Sequence, residues 1–83
     1  MLVEDRLAAC VQIFGPIYST YLWKGKKEKS EEWICVIKST DRNYAIIEKT
    51  IKKIHSYETP EIIVLPIIKG SRSYLDWIDE VVK

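Results

Sequence analysis

Two stretches decide the fold: Val11-Gln-Ile-Phe-Gly-Pro-Ile-Tyr-Ser-Thr-Tyr-Leu-Trp23, and Glu32-Trp-Ile-Cys-Val-Ile-Lys-Ser39 after a charged connection. Val11 to Ile13 starts a strand, Gly15-Pro16 interrupts it, and Ile17 to Trp23 resumes it. Tyr18, Thr20 and Leu22 alternate with Ile17, Ser19, Tyr21 and Trp23, the period-2 pattern of a β-strand. Pro16 has no backbone donor, so the Gly-Pro pair belongs where the ladder breaks, at a bend or bulge. Lys24 to Glu31 reads as a polar, charge-dense turn. The returning strand puts Trp33, Cys35 and Ile37 on one face and Ile34, Val36 and Lys38 on the other. A long β-hairpin follows, apolar on both faces at its base and therefore covered there on both sides.

Working outward, a helix comes next. Asp41, or alternatively Thr40, is the expected N-cap. Tyr44, Ile47, Ile51 and Ile54 form the core-facing stripe. Glu48 and Lys52 make an i, i+4 pair. The helix ends near His55, because Thr59 precedes Pro60 and is pushed away from helical angles. Residues 61–68 are apolar enough to predict an interior strand, at least up to Pro66, with Gly70 as its stop. Ser73 and Asp76 suggest a capping-box-like start to a final helix presenting Leu75, Ile78, Val81 and Val82. Before the hairpin, residues 2–10 read as the tail of a helix, with Leu2, Val3, Leu7 and Cys10 at helical spacing. The order predicts an α+β sandwich, an antiparallel sheet with helices on one face. It reads as a ferredoxin-like split βαβ unit whose N-terminal strand is missing.

The chain has 83 residues, 47% of them apolar, with three Trp and five Tyr. That length makes a single domain, residues 1–83, whose core is modest. So much apolar surface favours an oligomer. A net charge of +1 gives no general attraction to nucleic acid or anionic membranes. No apolar run approaches the roughly 20 residues needed to span a bilayer. Glu4, Asp5 and Arg6 interrupt the start, so no signal peptide is expected. Cys10 and Cys35 form neither a metal-ligand spacing nor a disulfide framework. They read as reduced thiols of a cytoplasmic protein.

The densest polar chemistry is His55-Ser-Tyr-Glu-Thr-Pro-Glu61, a connection holding the only histidine, a phenol and two carboxylates. A neutral imidazole binds Cu(II), Zn(II) or Ni(II), and nearby carboxylates add a ligand or orient its second nitrogen. Alternatively, His55 only favours the negative end of its helix. Nothing resembles a phosphate-binding glycine loop, a paired-carboxylate pattern or a nucleophile elbow, so no enzyme is expected.

Four segments taken together, Arg6-Leu-Ala-Ala-Cys-Val11, Tyr21-Leu-Trp-Lys-Gly-Lys26, His55-Ser-Tyr-Glu-Thr-Pro-Glu61, and Pro66 with Gly70 and Tyr74-Leu-Asp-Trp77, resemble the CutA family of divalent-cation tolerance proteins. The resemblance runs from about Leu2 to Trp77. It implies a ferredoxin-like subunit in a tight homotrimer, reminiscent of PII signalling proteins, with the long hairpin reaching a neighbouring subunit. It also implies binding of copper or another divalent cation, and no catalysis. The family usually has His-Pro-Tyr where this chain has His55, Ser56 and Tyr57. The family's first strand and most of its first helix have no counterpart here, which points to a start site placed too far downstream or to a fragment.

The expected metal ligands are His55, Glu58 and, for a soft cation, Cys10; Cys10 is otherwise a small buried hydrophobe. The expected cleft residues are Tyr57, Lys24, Lys26, Trp23 and Glu61. The divalent cation, with Cu(II) foremost, is not obligatory for folding. The other reading is a PII-like trimeric regulatory module that binds a small anion or an unidentified partner protein between subunits. Neither a nucleic acid nor a membrane is an expected partner.

Overall fold

A computed structural model describes residues 1–56 and 59–83. Its backbone is one long antiparallel ribbon, β1 (Cys10–Trp23) and β2 (Lys26–Lys38), followed by helices α1 (Tyr44–Ile54) and α2 (Arg72–Val81). The architecture is α+β. Among the described residues, no helix is long and apolar enough to cross a membrane.

The ribbon runs in register from Cys10 opposite Lys38 to Trp23 opposite Lys26. The connection is only Lys24 and Gly25, both at positive φ (51° and 79°). Positive φ at both central residues is what a primed hairpin turn needs to match the strands' twist. The eight-residue polar turn expected over residues 24–31 is therefore corrected: most of it is ladder. Lys27, Glu28, Lys29 and Ser30 pair with Leu22, Tyr21, Thr20 and Ser19. Their charge reads as a loop, but this end of the ribbon meets water on both faces and tolerates charge on either.

Gly15 and Pro16 do break the ladder. Phe14 pairs with Ile34 and Ile17 with Glu32, so two residues of β1 oppose Trp33 alone, the two-against-one count of a bulge. The Gly15-Pro16 peptide is cis. Gly15 sits at φ 152°, and a Cβ there would lie 3.0 Å from both the Glu32 carbonyl oxygen and the Trp33 ring. Only glycine fits. Directly opposed residues share a face. One face therefore carries Ile13, Tyr18, Leu22 and Trp33, which are 66, 79, 76 and 61% exposed.

A short 3₁₀ turn, Asp41–Asn43, leads into α1, with Thr40 in the extended capping position. Ile47 is buried, Tyr44 and Ile51 are half-buried, and Ile54 is exposed, so only the first two turns of the expected stripe reach the core. The Tyr44 hydroxyl donates to Glu48 at 2.9 Å, and Lys52 approaches the same carboxylate at 3.9 Å. His55 closes α1, its amide bonded to the Ile51 carbonyl. For α2 the cap is Ser71, whose hydroxyl accepts from the Tyr74 amide at 3.3 Å. The expected box at Ser73 and Asp76 lies inside the helix, because Ser71 is the residue that holds extended angles before it.

Residues 2–10 form no helix, yet they end like one. The Leu7 amide bonds to the Leu2 carbonyl and the Arg6 amide to that of Val3, while Arg6 is left-handed at φ 58°. That is a Schellman closure, the signature of a helix C-terminus.

The interior strand expected at 61–68 is also corrected. Residues 60–71 carry neither helix nor ladder, because among the described residues the sheet has two strands and neither pairs with this stretch. Among the described residues the buried core is small: Leu7, Ala8, Ile47 and Val82, with Asn43. The accessible surface is 7006 Å², about 1,900 Å² more than a monomer of this mass shows. The radius of gyration, 14.9 Å, exceeds the ~12 Å of a compact chain of this length.

Candidate functional site

Where α1 ends, the chain delivers His55 to the middle of the ribbon. There a groove of about 280 Å³ is lined by Glu31, Glu32, Trp33, His55 and Ser56. The length of β2 carries two consecutive carboxylates and an indole to a point where the helix terminus sets down the imidazole. Glu31 and Glu32 point to opposite faces of the strand, so at most one of the two carboxylates turns toward the imidazole. The donors are nitrogen and carboxylate oxygen, a set suited to Cu(II), Zn(II) or Ni(II).

Among the described residues, no three His, Cys, Asp or Glu converge closely enough to hold a metal ion. One chain thus offers the imidazole and a flanking carboxylate, and a full coordination shell requires further donors. Glu58 and Tyr57, expected as ligand and cleft residue, lie outside the described residues.

The other expected site residues are spread along the ribbon. Cys10 opens β1, half-buried opposite Lys38. Six residue steps separate Lys38 from Glu32 on β2, about 20 Å of strand, so Cys10 and His55 do not share a site within one chain. Trp23, Lys24 and Lys26 stand at the ribbon's far end. Trp23 faces Lys26 across the ladder, and the Lys24 ammonium lies 5.8 Å from the Trp23 ring centroid, a cation–π contact. That tip is again about 20 Å from the groove. Glu61 is exposed on the segment without ladder.

Glu31, Glu32 and Trp33 are the groove residues that sequence reasoning missed. The spacing of more than 20 residues to His55 holds no hint of contact; only the ribbon's register brings them together. Cys35 is exposed on the strand, and partial burial pushes its thiol pKa up, which disfavours the thiolate that binds metal or reacts.

A second, more apolar hollow of about 480 Å³ lies between the N-terminal turn and α2, lined by residues that include Val3, Arg6, Ala8 and Trp77. No expected site residue lines it.

Comparison with known proteins gives a consistent answer. The sequence model of the CutA1 divalent ion tolerance protein family matches residues 1–81. The divalent-cation tolerance protein CutA of Thermus thermophilus is 42% identical over 79 residues, spanning 95% of this chain and 77% of that protein. The Archaeoglobus fulgidus protein of the same name is 44% identical over 82 residues, spanning 99% of this chain and 79% of its own length. The solved T. thermophilus structure superposes with a TM-score of 0.95 at 40% identity, covering 99% of this chain and 80% of that one. The A. fulgidus structure, described as a periplasmic divalent cation tolerance protein, superposes at 0.94 and 44% identity, covering 99% of this chain and 79% of that one.

Proposed function

The chain belongs to the CutA1 divalent ion tolerance family, and on that premise we propose that it binds divalent cations, Cu(II) foremost, with His55 as the principal ligand. The observation that supports this is the groove that His55 lines together with the acidic stretch Glu31-Glu32 of β2. Glu58, three residues beyond His55, is the proposed second ligand. The protein works as a homotrimer in the cytoplasm, and neighbouring copies supply the donors that one chain lacks. Cys10 enters coordination only from a neighbouring copy, since its own His55 is out of reach. The bound cation is held or buffered; no catalytic role is proposed.

Calorimetric titration with Cu(II) tests this reading. His55→Ala lowers affinity at least about tenfold, or ~1.4 kcal/mol. Unchanged affinity in a folded variant removes His55 from the site.

The ribbon tip supports a second reading. Lys26 pairs opposite Trp23 and the Lys24 ammonium lies over its ring, which suits a small anion held between subunits, as in a PII-like regulatory module. Thermal-shift measurements separate the two readings, because a ligand specific for the folded state raises the melting temperature. Stabilisation by nucleotides and not by metals favours the second.

A further inference from the structure

Glu31 and Glu32 both border the groove, yet the strand turns them to opposite faces, so one carboxylate remains to be assigned. The ribbon's register makes the choice. Directly opposed residues share a face. Ile17 stands opposite Glu32 and Ser19 opposite Ser30, while Tyr18 stands opposite Glu31 and Thr20 opposite Lys29. Ile17, Ser19, Ser30 and Glu32 are all half-buried, and Ile34, two residues further along β2, joins them. Tyr18, Thr20, Lys29, Glu31 and Trp33 are all exposed. Both strands thus agree on which face of the ribbon is covered. Glu32 is the groove acid that lies on it.

We infer that the carboxylate of Glu32, and not that of Glu31, is the oxygen ligand that joins the His55 imidazole when a divalent cation occupies the groove. This rests on the cation site proposed above and names its ligand on β2.

The residue that loses surface is the one turned toward whatever stands over the strand, and over this part of β2 the chain sets down His55 and Ser56. Ile17 flanks Glu32 across the ladder, so this carboxylate meets less water than Glu31 and attracts a cation more strongly. Glu31 carries its charge on the open face, where a charge contributes little. Among the described residues, Glu32 makes neither a hydrogen bond nor an ion pair, which leaves its oxygens to a cation. Both donors are held by regular structure, Glu32 in the ladder and His55 through its amide on the Ile51 carbonyl, and donors fixed in place lose less freedom on binding. One imidazole nitrogen with one carboxylate suits Cu(II), Zn(II) or Ni(II), whereas Mg(II) and Ca(II) call for oxygen alone.

Titration of the full chain with Cu(II), followed by calorimetry and by electron paramagnetic resonance of the bound ion, tests the assignment. Glu32→Gln keeps the shape and removes the charge. It weakens Cu(II) binding at least about tenfold and changes the copper spectrum, with circular dichroism unchanged. Glu31→Gln changes affinity by less than about twofold and leaves the spectrum as it was. Combined with His55→Ala, the loss from Glu32→Gln shrinks, because two ligands of one ion are coupled. The register supplies a second pair of variants that keeps both acids. Ile17→Lys sets an ammonium opposite Glu32, where it competes with the cation and weakens Cu(II) binding. Tyr18→Lys does the same opposite Glu31 and leaves binding unchanged. Where Glu32→Gln does not fold, this lysine pair decides alone. If His55→Ala weakens binding while Glu32→Gln does not, or while Glu31→Gln costs as much, the Glu32 assignment is overturned and the cation site stands. If His55→Ala binds Cu(II) as tightly as the parent, site and assignment fall together.

Discussion

The base of the ribbon and residues 60–71 are both rich in apolar side chains, and they have opposite fates. At the base, Leu7, Ala8, Ile47 and Val82 are buried, and backbone oxygens of Leu7, Val81 and Lys83 are bound by side chains from several directions. Asn43, itself buried, donates to the carbonyls of Leu7 at 3.3 Å and Lys83 at 2.9 Å. Ser39 donates to the same Leu7 carbonyl. Arg42 reaches the Lys83 carbonyl and the Asp79 carboxylate, both at 3.1 Å, and Arg6 holds the Val81 carbonyl at 3.1 Å. Residues 60–71 have comparable apolar content and no ladder. The contrast shows that apolarity creates a demand for cover, while the presence of a partner decides whether structure results.

That contrast can be broken or sharpened by mutation. The largest effect is expected at Ile47, whose truncation to Ala leaves a cavity where the core has few members. Ile47→Ala costs about 2–5 kcal/mol in urea unfolding, and a value under ~1 kcal/mol shows that the base is not the stability centre. Asn43→Ala comes next. It removes two hydrogen bonds to backbone oxygens that keep Ser39 and Arg42 as donors, for a loss of about 1–3 kcal/mol. Ser71→Ala removes the cap of α2 and costs about 1 kcal/mol, read as a lower midpoint with an unchanged slope. The smallest effect belongs to the exposed segment. Leu65→Ser, measured on single subunits at high dilution, changes stability by no more than about 0.5 kcal/mol. A larger loss there shows that the segment is packed within its own chain.

The same contrast explains what was legible in the sequence. The hairpin was readable because alternation is a local property. So was the bulge, since Gly15-Pro16 cannot continue a ladder. The helix-tail character of residues 2–10 survives as the Schellman closure at Arg6. The end of α1 at His55 was readable because Thr59 and Pro60 forbid continuation. Residues 61–68 were not, because a strand is defined by its neighbour and no strand of the ribbon pairs with them here. The turn was misjudged because a ribbon wet on both faces accepts the lysines and glutamates that usually mark a loop. For the site, His55 was visible as the lone imidazole at a helix terminus. Glu31, Glu32 and Trp33 were invisible, since their approach to His55 depends on where the ribbon's length carries them.

The single extra residue at Gly15-Pro16 acts as a phase shifter. Inside the bulge, Phe14 shares its side with Ile34; beyond it, Ile17, Ser19, Tyr21 and Trp23 take over that side, where strict alternation would have placed Pro16, Tyr18, Thr20 and Leu22. Deleting one of the two residues would turn about 20 Å of β1 inside out relative to its root. Tyr18 and Leu22 would change places with Tyr21 and Trp23, and the outer ribbon would offer its neighbours a different skin.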